Sequence, residues 1–234
     1  MSISRRDIIS VTGYGLLASL LMSNPVLALS LGDLTNQEAT GGLKAALEKG
    51  SEAAIAKLGV PGGFLNNPKV KIDLPGPLAK AKGLLKMTGL GGKADELVEA
   101  MNHAAEAAVP EAKNLLLNAI KTMSVEDAKG ILAGGETSVT DFFRKKTSEP
   151  LGQKFLPIAK QSMSKVGVAQ KYNELAAKVP QNLLKGKDAS IEGYVSKQAL
   201  EGLYTMIGEE EKAIRQDPVG AGSAAISKVF GALK

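Results

Sequence analysis

KVKIDL, residues 69–74, alternates apolar and charged side chains, and no second segment of the chain offers a comparable alternation. That solitude constrains the fold more than any other feature. A strand must satisfy its backbone N–H and C=O groups on a neighbour, so a chain with one strand pattern has nothing to build a sheet from. The expected class is therefore all-α, a single irregular multi-helix bundle carrying one short extended, proline-bounded arm. Val70, Ile72 and Leu74 share one side of the arm, Lys69, Lys71 and Asp73 the other, and Pro68 and Pro75 close its ends. The three apolar side chains are expected to rest on helices, with one edge left open. Such an arm is either a rigid crossover between helices or an edge offered to another chain, which makes Val70, Ile72 and Leu74 the candidate contact arm.

Helical signals fill the rest. Thr35 and Glu38 have capping-box spacing ahead of a helix that ends at Gly59, with Leu43, Leu47, Gly50, Ala54 and Leu58 along one face. Further helices are expected over Pro77–Met87, Lys93–Ala108 and Pro110–Met123, the last on the reading that Pro110 opens a new first turn. Ser124 with Asp127, and Ser138 with Asp141, resemble capping boxes. Leu151–Val179 reads as helix interrupted at Pro157 and Gly167, Asp188–Asp217 as the longest uninterrupted and central helix, and Ser223–Leu233 as the last.

The first residues have the plan of an export signal: Arg5 and Arg6, an apolar stretch from Ile8 to Met22, Pro25, then small residues. Cleavage after Ala28 is expected, leaving residues 29–234 as one soluble helical domain in the periplasm, with no integral membrane span in the mature chain. SRRDII, residues 4–9, also resembles the twin-arginine signal, so both export routes stay open. Of 29 basic and 24 acidic residues, two arginines and one aspartate fall in the leader, which leaves a mature net charge of +4 with His neutral. Such a spread excess, with only 4% aromatic residues, argues against nucleic acid as a partner. With no cysteine, thiolate catalysis, disulfides and zinc–thiolate sites are excluded.

NNPKVKIDLPGPL, ADELVEAMNHAAEAAVPEAK, MSVEDAKGIL and EEEKAIRQDPVG, in that order along the mature chain, resemble the signature blocks of the bacterial domain-of-unknown-function 4197 family. The resemblance implies an exported, mostly helical protein of Gram-negative bacteria, and it supplies no catalytic residues.

The polar residues that invite a chemical reading are few. His103, the one histidine, lies between Glu99 and Glu106 at a spacing unlike that of di-iron helices. On a helical wheel Asp95, Glu99, Asn102, His103 and Glu106 fall opposite the stripe of Leu97, Met101, Ala104 and Ala108, which describes a solvated face, or else a polar groove. MTGLGGKA, residues 87–94, lacks the first glycine and terminal hydroxyl of a phosphate loop. On the long helix Glu210 falls within the apolar arc of Ile191, Val195, Ala199, Leu203, Met206, Ile207, Ala213 and Ile214, whereas Glu211 falls outside it. A buried Glu210 needs a partner, with Arg144, Lys145, Lys146 and Tyr172 as candidates.

The leading expectation is a non-enzymatic binding or interaction module of the cell envelope that uses no cofactor and no metal, and whose partner is an envelope protein or a small ligand. Its candidate polar groove comprises Glu106, Glu210, Arg144 and Tyr172. The rival is a carboxylate-based enzyme or divalent-metal site in which Glu106 and Glu210 converge. A further alternative is a carrier of an apolar ligand.

Overall fold

Thr35 Oγ1 accepts the Glu38 N–H at 3.2 Å and the Glu38 carboxylate accepts the Thr35 N–H at 2.9 Å, so the first helix starts on a closed capping box. The computed structural model describes residues 29–180 and 190–233. Among them are ten α-helices: α1 (Asn36–Leu58), α2 (Gly76–Lys80), α3 (Lys82–Met87), α4 (Gly91–Glu111), α5 (Lys113–Thr122), α6 (Ala128–Leu132), α7 (Ser138–Lys165), α8 (Val168–Ala176), α9 (Ile191–Gln216) and α10 (Ala224–Gly231). No strand occurs among the described residues. The fold is all-α, and no described helix is long and apolar enough to cross a membrane. The leader, with Arg5, Arg6 and the expected cut after Ala28, lies outside the described residues, as does Asp188, the expected start of the longest helix.

Helix α9 packs against α7, α1, α4, α8 and α10. Tyr204, at its middle, is fully buried and meets Phe143 of α7 edge to face at 5.7 Å. Burial pushes the Tyr204 hydroxyl up to about 12. That hydroxyl pairs with Thr147 Oγ1 at 2.9 Å, so the core carries no loose donor there.

Several element boundaries differ from the sequence reading. Pro110 does not begin a helix: α4 runs through it to Glu111, and α5 starts at Lys113 after a tight turn at Ala112. Pro157 does not interrupt α7, which continues through both Pro150 and Pro157. Both prolines are on the exposed side, where the carbonyls that lose a helical donor face water. Helix α6 is capped by Asp127, which accepts the Gly130 N–H at 2.8 Å, and not by Ser124. Gly167, with φ +66°, does separate α7 from α8.

Residues 67–70 form a turn, with Val70 and Lys71 N–H donating to the Asn67 carbonyl, and residues 71–75 are extended without a strand partner. The expected six-residue strand is thus a turn followed by a short extended piece. Its side chains alternate nonetheless: Val70, Ile72 and Leu74 are buried, and Lys69, Lys71 and Asp73 are exposed. The segment crosses α9 at Gly202, where an added Cβ would come within 2.7 Å of the Phe64 ring and 3.2 Å of Val70. A glycine here lets the arm lie directly on the helix backbone.

Candidate functional site

Helix α4 supplies what the lone extended segment lacks. Asn102, fully buried, accepts the Ile72 N–H on Oδ1 at 2.9 Å and donates from Nδ2 to the Ile72 carbonyl at 2.8 Å. A side-chain amide therefore stands in for the missing neighbouring strand, with a donor and an acceptor in the same spacing. Tyr194 of α9 adds a donor to the Asp73 carbonyl at 3.0 Å.

One turn on, Glu106 is 5% exposed and performs the same service for the start of the arm. Its Oε1 accepts the Phe64 and Leu65 N–H groups at 3.0 and 3.1 Å, and its Oε2 meets His103 Nδ1 at 2.8 Å. Gly62, at φ +83°, turns the chain so that these consecutive N–H groups point to one acceptor. Burial pushes the Glu106 carboxyl up, but the bonds from His103 and from the Leu65, Phe64 and Gly62 N–H groups together hold it below the usual carboxylate range. The Glu106 hydrogen bond raises the His103 pKa above its ordinary value against the desolvation that lowers it, with Glu99 adding a second carboxylate at 3.4 Å. The face read as solvated is thus only partly so. Asp95 and Glu99 are exposed, His103 is half-buried, and Asn102 and Glu106 lie under the arm.

On α9, Glu210 and Glu211 exchange the positions expected of them. Glu210 is half-buried and paired with Lys57 of α1. Glu211 is 3% exposed, and its carboxylate accepts the N–H groups of Val139 and Thr140 at 3.1 and 2.8 Å and the Thr140 hydroxyl at 2.7 Å. It thereby caps the first turn of α7, where free N–H groups and the positive end of the helix need an acceptor. The wheel missed this because α9 has two buried stripes. Leu200, Tyr204, Gly208 and Glu211 form a second one, covered by α7 and by the residue before it, Thr137, which sits 3.2 Å from where a Gly208 Cβ would be.

Arg215, one turn after Glu211, completes the fastening. Its Nε and Nη2 donate to Glu211 at 3.0 and 2.9 Å, Nη1 to the Leu132 carbonyl at 3.1 Å, and Nη2 to Ser138 Oγ at 2.8 Å. Ser138 Oγ in turn donates to the Ile131 carbonyl at 2.6 Å. One ion pair on α9 therefore satisfies the end of α6 and the start of α7 together. The only hint in the sequence was the Glu–Arg spacing of four on one helix.

The four residues of the candidate polar groove do not converge. Glu106 lines a depression with Gly59, Val60, Pro61 and His103, and Glu210 lines another with Lys49, Ala213 and Asp217. Arg144 lies over the Tyr204 ring at 5.4 Å and 3.6 Å from Glu201, and Tyr172 is half-buried on α8. Among the described residues, no group of three or more His, Asp or Glu side chains is placed to hold a metal ion.

A recess of about 290 Å³ opens between α5 and α7. Leu115, Ala119, Met123, Pro150 and Leu151 supply its apolar lining, and Asn118, Thr122, Ser124 and Thr147 its uncharged polar groups. Lys146 and Lys154 are its charged residues, and no carboxylate lines it. Nothing in the sequence marked it, because its walls come from two helices that are each unremarkable alone.

Fold and site together define an all-α protein whose buried carboxylates fasten its own backbone and whose open, apolar-lined recess lies elsewhere, between two helices. The chain belongs to the family described as protein of unknown function (DUF4197), which it matches over residues 33–231. No curated protein and no solved structure matches it.

Proposed function

We propose that this chain is an exported, soluble, non-enzymatic binding module of the periplasm, and that its ligand site is the recess between α5 and α7. One observation carries the reading: the recess joins an apolar lining to two lysines and no acid. Its volume is at the small end of ligand sites. A compact molecule with an apolar body and one acidic group fits that lining, the body against Leu115, Met123 and Leu151, and the acid near Lys146 or Lys154.

The rival carboxylate enzyme draws little support. Glu106 and Glu211, the deeply buried carboxylates, have their oxygens committed to backbone N–H groups and to His103, Thr140 or Arg215, so neither is free to exchange a proton with a substrate. Glu106 and Glu210 line different depressions.

The test is a titration of the mature chain with short- and medium-chain carboxylates, followed by amide NMR and calorimetry. Shifts confined to α5 and α7, abolished by Ala119→Trp with the fold retained, are the expected result. Absence of binding by every carboxylate, or binding untouched by Ala119→Trp, would end the reading. Export is tested separately by the mass of the secreted form, expected to begin at Leu29, and by Arg5→Lys with Arg6→Lys, which stops export only along the twin-arginine route.

A further inference from the structure

Helices α2 and α3 form a short hairpin-free run on the outside of the molecule, anchored by the buried Pro77, Leu78, Ala81 and Leu85. The backbone passes from one to the other with little break, since the Leu85 N–H donates to the Ala81 carbonyl at 2.9 Å. At helical spacing the outward arc holds the apolar Ala79, Gly83, Met87 and Leu84, with Lys80 between Met87 and Leu84 and with Lys82 and Lys86 along the border beside Ala79. Leu84 is 37% exposed and Met87 87% exposed, the latter the most exposed large apolar side chain described.

The charge here is distinctive. Residues 74–94 contain no aspartate or glutamate. Lys80, Lys82 and Lys86 make no ion pair among the described residues, a state they share with other surface lysines such as Lys160 and Lys165; what sets them apart is the acid-free stretch in which they stand. Gly83 and Gly89 have nothing within 4 Å of where a Cβ would stand, so the surface around them is open.

We propose that this face docks the protein on the surface of an anionic phospholipid bilayer. Leu84 and Met87 enter the boundary between headgroups and acyl chains while Lys80, Lys82 and Lys86 meet the phosphates, the arrangement of an interfacial amphipathic helix. An open basic face without acidic residues, carrying the flexible and exposed Leu84 and Met87, suits a flat, fluid, negatively charged partner. Binding is peripheral and reversible, because two apolar side chains bury little surface.

The experiment is flotation of the mature chain with vesicles of phosphatidylcholine alone or of phosphatidylcholine with phosphatidylglycerol. The protein is expected to float with the anionic vesicles only, and to be released by high salt. Each lysine contributes roughly a factor of five near such a surface, so replacing Lys80, Lys82 and Lys86 by Gln should weaken partitioning by about a hundredfold. The same exchange at the exposed Lys160, Lys165 and Lys178 should leave it nearly unchanged. The chain has no tryptophan, so Met87→Trp provides a single reporter whose emission should shift to the blue on binding. Failure to float with anionic vesicles, equal losses from the two lysine sets, or a water-like Trp emission in the bound state would each overturn the proposal. Free inorganic phosphate that displaced the protein at low ionic strength would also overturn it, since it would mark an ion site in place of a bilayer surface.

Discussion

Replacing Asn102 by Ala removes the amide that stands in for a strand partner. The Ile72 N–H and C=O are then left in a buried place without partners, because Ile72 itself is 1% exposed and Asn102 0%. Each unsatisfied buried backbone group costs about 1 to 3 kcal/mol, so the two together should cost about 3 to 5 kcal/mol after partial relaxation. Asn102→Asp is the sharper version. An ionised carboxylate still accepts the Ile72 N–H but faces the Ile72 and Val98 carbonyls, which now receive hydrogen bonds at 2.8 and 2.7 Å. It should be at least as damaging at neutral pH as the alanine, and should regain stability in acid, where the protonated oxygen can donate. Urea titrations of the mature chain at neutral and mildly acidic pH measure this, with hydrogen exchange at the Ile72 amide as a local readout. If Asn102→Ala cost less than about 0.5 kcal/mol, the range of an ordinary surface change, while the Ile72 amide stayed protected, the amide would not be what holds the arm, and the reasoning would fail.

Ile72→Ala should cost about 2 to 4 kcal/mol by urea titration, as for other buried aliphatic truncations, and Lys71→Ala, at an exposed position, under about 0.5 kcal/mol. On α9, Glu211→Ala leaves Arg215 and the α7 N–H groups without their acceptor and should cost about 3 to 5 kcal/mol, while Glu210→Ala, losing a solvent-accessible pair with Lys57, should cost under about 1 kcal/mol; the reverse order would refute the exchange of roles between these neighbours. The His103 pKa is raised in the fold, so its contribution is complete below its unfolded value of 6.5 and is lost as pH rises through the higher folded value. Glu106 is depressed, so its contribution is complete above 4.5 and is lost as pH falls through the lower folded value. Stability measured against pH should therefore decline on both sides; His103→Gln should abolish the decline on the alkaline side and, because Glu106 loses the His103 bond that helps to hold its pKa down, also weaken the decline on the acid side.

Much of what depends on neighbours along the chain was readable in the sequence, though not that Pro110 and Pro157 stay inside helices or that Asp127 caps α6. The helical class, the Thr35–Glu38 cap and the glycine stop at Gly167 follow from local spacing and backbone preference. The inward and outward sides of the arm follow from a period of two, which holds for any extended segment whether or not it joins a sheet. Asn102, Glu106 and Glu211 were not readable, and for one reason. A helical wheel reports which residues share a side of a helix, but burial depends on what is laid against that side, and each of these residues is covered by a segment far away in the chain: Ile72 for Asn102, Phe64 for Glu106, Thr140 for Glu211. Each covering segment brings backbone N–H groups that its own neighbours cannot satisfy, so a polar side chain on the opposing helix is required where the wheel alone suggests solvent or an apolar residue. The sequence by itself determined that the chain is helical and where the arm turns its apolar side; only the tertiary structure decided which polar residues go under, because the unsatisfied backbone that draws them in exists only once the distant elements meet.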